Sequence, residues 1–234
     1  VKCSNLKELV SNSFLRDAQK TRITLNFSNF FPWIMLLFAY LWGSIPIGLI
    51  AGKIFYHKDI RNEGSGNIGA TNALRTFGTV TGLIVLLLDM AKGFIPVILA
   101  ISLLEKGSPF IALTAFFVIL GHIFPLYLSF KGGKGVATAA GAFLALTPLS
   151  LLIALLTFII VVAVFRYVSV ASICAALVFQ LHCFGLLLKA GSADYATLLL
   201  VTIVVLMIIA KHKSNLERLL NKTEPKLKFT KKGN

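Results

Sequence analysis

The chain is poor in charge, especially acidic charge, and poor in cysteine. Only 14% of its 234 residues are Asp, Glu, Lys or Arg, against 57% hydrophobic residues and a mean hydropathy of +0.85. So little charge on so apolar a chain excludes a soluble globular domain. Its four aspartates, at 17, 59, 89 and 194, are scattered, which argues against the clustered-Asp, divalent-metal chemistry of a CDP-alcohol phosphotransferase. Cys3, Cys174 and Cys183 show no paired metal spacing, and the last two sit inside apolar runs as small core residues. No histidine has Asp five residues later: the positions after His57, His122, His182 and His212 hold Asn62, Tyr127, Leu187 and Glu217. No repeat of fixed period is present, so solenoids and inverted-repeat transporters are disfavoured.

What the chain does have is apolar runs. From Pro32 onward they suggest helices near 33–53, 79–104, 109–130, 135–147, 149–166, 168–188 and 195–211. Backbone groups in lipid must be satisfied within the segment, so runs of this length read as helices. The fold expected is an all-α integral membrane protein of about seven transmembrane helices, with 31–211 as the membrane domain and 212–234 as a basic tail contributing to the site. The run 135–147 is short for a crossing and reads as a tilted or half-inserted helix. Residues 1–30 are polar and lack a secretory signal's pattern. They read as an N-terminal extension without a role, with Met35 as an alternative start.

The net charge of +14, from 23 Lys and Arg against 9 Asp and Glu, is placed unevenly. Lys58, Arg61 and Arg75 lie within 54–78, Lys131 and Lys134 follow the third run, and eight basic residues follow Ala210. The alternate turns hold Lys106, nothing, and Lys189. Seven crossings put the basic segments on one side, which the positive-inside rule makes cytoplasmic, with the N-terminus outside. Nucleic acid is therefore not the expected partner of the positive charge.

Three polar segments stand out. In Arg61-Asn-Glu-Gly-Ser-Gly-Asn-Ile-Gly-Ala-Thr-Asn-Ala-Leu-Arg75, glycines at 64, 66 and 69 let successive backbone N–H groups converge on an anion. Ser65, Asn67, Thr71 and Asn72 add side-chain donors, and Arg75 a charged fork suited to phosphate. The plain alternative is a solvated turn between helices. In Phe130-Lys-Gly-Gly-Lys-Gly135, Gly132, Gly133 and Gly135 surround Lys134 and open directly onto an apolar run, so a phosphate could sit at a helix start. This is not a Walker A loop, since Gly135 follows Lys134 and Leu128 stands where its first glycine would be. In Lys211-His-Lys-Ser-Asn-Leu-Glu-Arg218, a continuing helix puts His212 and Asn215 on one face, although a basic helix gripping lipid headgroups reads equally well. Asp89 and Lys92 form an i,i+3 pair that reads as structural ahead of catalytic, and His122 reads as hydrogen-bonded core. Nothing here calls for a cofactor, a metal or an obligate protein partner.

In this order, Gly43-Ser-Ile-Pro-Ile-Gly48, Arg61 through Arg75, Leu88-Asp-Met-Ala-Lys-Gly93, Gly121-His-Ile-Phe-Pro125, Phe130 through Thr138 and Lys211 through Glu224 resemble the bacterial acyl-phosphate:glycerol-3-phosphate acyltransferases, the PlsY family. The resemblance covers about residues 33–226. Residues 1–30 have no counterpart in it, and Asn221-Lys-Thr-Glu224 replaces a more typical glycine-containing end. It implies transfer of a fatty acyl group from acyl phosphate to the 1-hydroxyl of sn-glycerol 3-phosphate, at the cytoplasmic side of the inner membrane, without acyl-CoA or acyl-carrier protein as direct donor. Gly64, Gly66, Asn67, Gly69, Thr71 and Asn72 would then hold the acyl-phosphate group. Ser65, Arg75, Lys134, His212 and Asn215 would bind glycerol 3-phosphate and orient its hydroxyl, and Gly132, Gly133 and Gly135 would shape the second loop. A phosphate oxygen of the donor, or His212, would take the hydroxyl proton. A small transporter of a phosphorylated metabolite is the competing class.

Overall fold

A computed structural model describes residues 30–190 and 195–227. The chain divides into two units, Val1–Met35 and Leu36–Asn234. In the first, residues 30–35 are helical, and the expected extension over 1–30 otherwise lies outside the described residues. The second is all helical: α1 (36–43), α2 (Ile47–Tyr56), α3 (Ala70–Phe77), α4 (Thr79–Leu103), α5 (Pro109–Ile123), α6 (Val136–Leu146), α7 (Pro148–Phe165), α8 (Val168–Ala190), α9 (Tyr195–Lys211) and α10 (Lys213–Leu220).

Every expected run is helical, but the expected seven crossings are not reached on length. Among the described residues five stretches are long and apolar enough: Phe30–Tyr56, Thr79–Leu103, Pro109–Leu128, Pro148–Phe165 and Val168–Leu188. A sixth appears when Thr197–Lys211 and Lys213–Leu220, bent by 46°, count as one. The run expected at 135–147 becomes α6, whose 11 residues rise ~16 Å, about half a bilayer's hydrocarbon thickness. The expected single helix over 33–53 is interrupted at Ser44–Pro46, where Pro46 removes an N–H and α2 starts afresh.

Short α6 is held by backbone contact with α4. A methyl group added at Gly93 would overlap the Thr138 carbonyl, and one at Gly141 would overlap the Met90 carbonyl. Small residues on both helices thus let two backbones meet, which substitutes for the hydrophobic drive that lipid does not supply. Val118, Ile119 and Ile123 of α5 pack with Ala139, Ala142 and Phe143 of α6 and Val201 and Val204 of α9 into one core. By contrast α7 buries only Ser150 and Ala154, and its exposed Leu and Ile side chains form a lipid-suited face.

A second core lies under the first glycine segment. Ile60, Ile68 and Ala73 pack against Leu49 of α2 and Val85 of α4. The segment is therefore anchored from beneath, and its last part, read as loop in the sequence, is helix α3. The break at His212, where a continuing helix was expected, bends α10 by 46° away from the line of α9.

Candidate functional site

One cavity of about 320 Å³ collects most of the expected site residues. Ser65, Asn67, Gly69, Thr71, Asn72, Arg75, Lys134, Gly135, His212 and Asn215 all line it. Gly64, Gly66, Gly132 and Gly133 do not; they shape the two loops from behind. Segments separated by some 140 residues of sequence thus meet at one polar end, while the other end is walled by Ala, Leu, Val and Phe of α6 to α9.

Asn72 builds the first loop. It is 2% exposed, and its Nδ2 donates to the carbonyls of Ile60 at 3.3 Å and of Glu63 and Asn67 at 2.9 Å each. Its Oδ1 accepts from the Ser65 N–H at 2.9 Å. All of these bonds run inside the loop, so the amide expected to hold a ligand holds the backbone that would hold it. Asn67 Oδ1 accepts from the Gly69 N–H at 2.9 Å, which sets the entry to α3. Gly64 and Gly66, at φ +57° and +70°, take left-handed turns that other residues adopt only with strain.

The second loop lies on the end of α5. The Gly132 N–H donates to the Ile123 carbonyl at 3.2 Å and the Gly133 N–H to the His122 carbonyl at 3.1 Å. Gly133 also rests directly on the His122 ring. That ring is buried beside Asp89, its Nδ1 3.6 Å from Asp89 Oδ1, which is itself 2.9 Å from Lys92 Nζ. Lys92 Nζ donates to the Ile45 carbonyl at 2.8 Å. The sequence reading of Asp89 and Lys92 as an ion pair agrees with this geometry, but it missed that the pair supports His122 beneath the loop. Both Asp89 and His122 reach the cavity wall.

Lys134 Nζ donates to Asn215 Oδ1 at 2.6 Å, and Asn215 Nδ2 donates to Glu224 Oε1 at 2.7 Å. Glu224 also accepts from Ser169 Oγ at 2.9 Å and from Arg218 Nε at 2.8 Å. Arg75 donates to the Pro225 carbonyl at 3.0 Å. The tail from 223 to 225 thus ties α3, α8 and α10 together over the polar end. Sequence reasoning gave Glu224 no role; the available signal was an acid among eight basic tail residues. Burial opposes its charge, but hydrogen bonds from Asn215, Ser169 and Arg218 hold the carboxyl below its usual range.

Burial pushes the Lys134 ammonium down to about 8, with Glu224 pulling the other way and Arg218 and Arg75 adding to the fall. Burial likewise lowers Arg75, against the pull of Glu224, without bringing a guanidinium near neutrality. His212 is 2% exposed and its Nδ1 lies 2.8 Å from the Ile208 carbonyl. A carbonyl only accepts, so Nδ1 carries the proton and the neutral ring keeps a lone pair at Nε2. Two cations, the starts of α3 and α6 and an apolar slot together suit a phosphate ester with a fatty chain.

Comparison with known proteins agrees with this chemistry. A family model described as glycerol-3-phosphate acyltransferase matches residues 33–222. The glycerol-3-phosphate acyltransferase of Syntrophotalea carbinolica is 43% identical over 196 residues, 84% of this chain and 97% of that one. That of Trichlorobacter lovleyi is 50% identical over 193 residues, 81% and 94% of the two chains. Crystal structures of PlsY, an integral membrane glycerol 3-phosphate acyltransferase, are also similar. The glycerol 3-phosphate form is 38% identical with a TM-score of 0.78, over 84% of this chain and 96% of that one. The lysophosphatidic acid form is 35% identical with a TM-score of 0.74, over 83% and 94%.

Proposed function

The chain belongs to the glycerol-3-phosphate acyltransferase family, and from that premise we propose how its residues divide the reaction. The enzyme acylates the 1-hydroxyl of sn-glycerol 3-phosphate in phospholipid synthesis, and acyl phosphate is the donor. The observation that carries this reading is the single cavity joining Arg75, Lys134 and His212 to an apolar slot.

An acyl phosphate is a mixed anhydride, so the protein has to orient and neutralise more than to activate. The starts of α3 and α6, with Gly69, Thr71 and Gly135, receive the phosphate of the donor. Arg75 and Lys134 hold the phosphate of glycerol 3-phosphate, and Ser65 and Asn215 complete its site. The hydroxyl oxygen bonds to the acyl carbon, the bond from that carbon to the bridging phosphate oxygen breaks, and inorganic phosphate leaves with the hydroxyl proton. Before reaction His212 Nε2 accepts a hydrogen bond from the hydroxyl, which turns a lone pair of the hydroxyl oxygen toward the acyl carbon, and the proton passes to a phosphate oxygen of the donor as the new bond forms. Purified enzyme given acyl phosphate and radiolabelled glycerol 3-phosphate should yield lysophosphatidate and one phosphate per turnover. Equal product from acyl-CoA alone would overturn the donor assignment.

Arg75→Ala is expected to raise KM for glycerol 3-phosphate or abolish activity, since a desolvated bidentate contact to phosphate is lost. Arg75→Lys should recover only part of it, as a point charge lacks the fork. Unchanged kinetics in Arg75→Ala would remove this residue from the site.

The Lys134 value of about 8 gives a pH dependence. The ammonium binds phosphate and the free amine does not, so kcat/KM should fall as pH rises through about 8. An ordinary lysine would hold its charge well past that point. In Lys134→Arg, any remaining activity should lack this basic limb. A wild-type profile flat to pH 10, well above that value, would show that Lys134 charge does not govern binding.

We assign the glycine loops and tail to the cytoplasmic face and the N-terminus to the outside, an arrangement of seven crossings only if short α6 and the bent α9–α10 pair each count as one. The support is the distribution of Lys and Arg, with Lys131, Lys134 and the tail on one side and Lys106 and Lys189 in the turns opposite. In a cysteine-free background, Lys106→Cys should react with an impermeant thiol reagent in intact cells, and Lys131→Cys only after lysis. The reverse pattern would invert the orientation.

A further inference from the structure

Residues 225–227, which follow Glu224, have no regular secondary structure, yet the stretch is tied at both ends. At one end Glu224 is buried and bonded to Ser169, Asn215 and Arg218. At the other, the Leu227 N–H donates to the Arg166 carbonyl at 2.7 Å, and Arg166 Nε donates back to the Leu227 carbonyl at 3.2 Å. Lys226 Nζ adds a cation–π contact, 5.4 Å from the centre of the Tyr167 ring. Between the two ties stands Pro225, whose ring fixes φ. Its carbonyl accepts from Arg75 Nη2 at 3.0 Å, across 150 positions of sequence.

We propose that residues 225–227 are a strap that orients the Arg75 fork toward the phosphate of glycerol 3-phosphate, with the Pro225 carbonyl as the group that positions it. This rests on the role given to Arg75 above and deepens it. Arg75 is a long side chain at the cavity wall, and Arg218 and Lys134 repel it. Left to itself, such a side chain carries its charged head out to water. A carbonyl holds it back without cancelling its charge, as a carboxylate would, so the full charge stays available to the substrate. The bond takes one of the five guanidinium N–H groups and a bidentate grip on phosphate takes two, so strap and substrate can hold the same fork together. The α7–α8 turn, which supplies Arg166 and Tyr167, thereby reaches the phosphate site without touching it.

The test measures KM for glycerol 3-phosphate and for palmitoyl phosphate separately in wild type, Leu227→Pro, Pro225→Gly and Arg75→Ala. Leu227→Pro removes the N–H that ties the strap to Arg166, whereas Pro225→Gly leaves every tie and frees φ. In Leu227→Pro, KM for glycerol 3-phosphate should rise about tenfold, the worth of one hydrogen bond to a charged group, while KM for palmitoyl phosphate stays within about twofold. Pro225→Gly should raise the first by about threefold and leave the second, since only backbone freedom is added. A tail that served the fold alone would move both constants alike, or kcat alone, and either result overturns the proposal. So does an unchanged KM for glycerol 3-phosphate, or a lowered one, which would mean that the carbonyl competes with phosphate for Arg75. Should Leu227→Pro not fold, Pro225→Gly decides by the same outcomes. If Arg75→Ala raises KM for glycerol 3-phosphate or abolishes activity while the strap variants match wild type, the strap alone fails. If Arg75→Ala changes neither constant, the assignment of Arg75 fails and the strap with it.

Discussion

Gly132→Ala is expected to leave an inserted, folded enzyme with acyl transfer reduced ~10²-fold or more, the cost of misplacing a catalytic group by about 1 Å. The reason is space. A methyl at 132 would overlap the His122 carbonyl oxygen and the Pro125 ring, and would crowd the Ile123 carbonyl. Two of these are backbone atoms at the end of α5 and cannot swing aside as a flexible side chain could. The loop must lift instead, breaking the bonds from the Gly132 and Gly133 N–H groups to α5. Lys134 then loses its place opposite Asn215. Gly185→Ala on α8, where an added methyl meets nothing within 4 Å, is the control and should behave as wild type. Steady-state kinetics with thermal unfolding in detergent checks both. A Gly132→Ala enzyme of normal kcat would show that the loop does not hold Lys134.

Asn72→Asp is expected to cost as much by a different route. Three backbone carbonyls receive the Nδ2 protons of Asn72, and none of them can donate in return. A carboxylate there would bury a negative charge against three carbonyl oxygens; those of Ile60 and Glu63 keep the N–H groups of Glu63 and Gly66, while that of Asn67 loses its amide partner at a cost of ~1–3 kcal/mol. The loop cannot keep its shape at that cost, and the start of α3 moves with it. Loss of ~10²-fold in kcat/KM is expected, with unfolding temperature lowered by a few degrees because the spans are untouched. Asn72→Ala should be milder, since water can enter and serve the freed carbonyls. If Asn72→Asp kept activity within about threefold of wild type, the loop would not depend on this amide.

Both predictions fall on residues the sequence singled out, but for reasons it could not supply. Asn72 stood out as a polar residue in a glycine-rich stretch, and direct ligand binding was the natural reading. Its partners, Ile60, Glu63, Ser65 and Asn67, lie five to twelve residues away. A turn returning on itself is not visible in local propensity. His122 read as core, and it is core; that Gly133 rests on its ring is a contact between α5 and a loop that follows it. Glu224 stood out only as an acid among basic tail residues, and nothing local named its three partners, which come from α8 and α10. The crossing count shows the same limit. Apolar runs mark helices, yet α6 is held by glycine contacts with α4 that hydropathy does not register.

By itself, then, the sequence determined the class of the protein, the approximate positions of its long apolar helices and the three segments that form the polar end of the site. Those follow from composition and short-range pattern, because lipid leaves an apolar chain little choice but helix and glycine with Lys or Arg has few uses beside a membrane. Only the tertiary structure decided which of those groups face the cavity and which hold other groups in place. Such distinctions depend on distances between helices far apart in the chain. They are set by how closely small residues let backbones approach, which no single segment records.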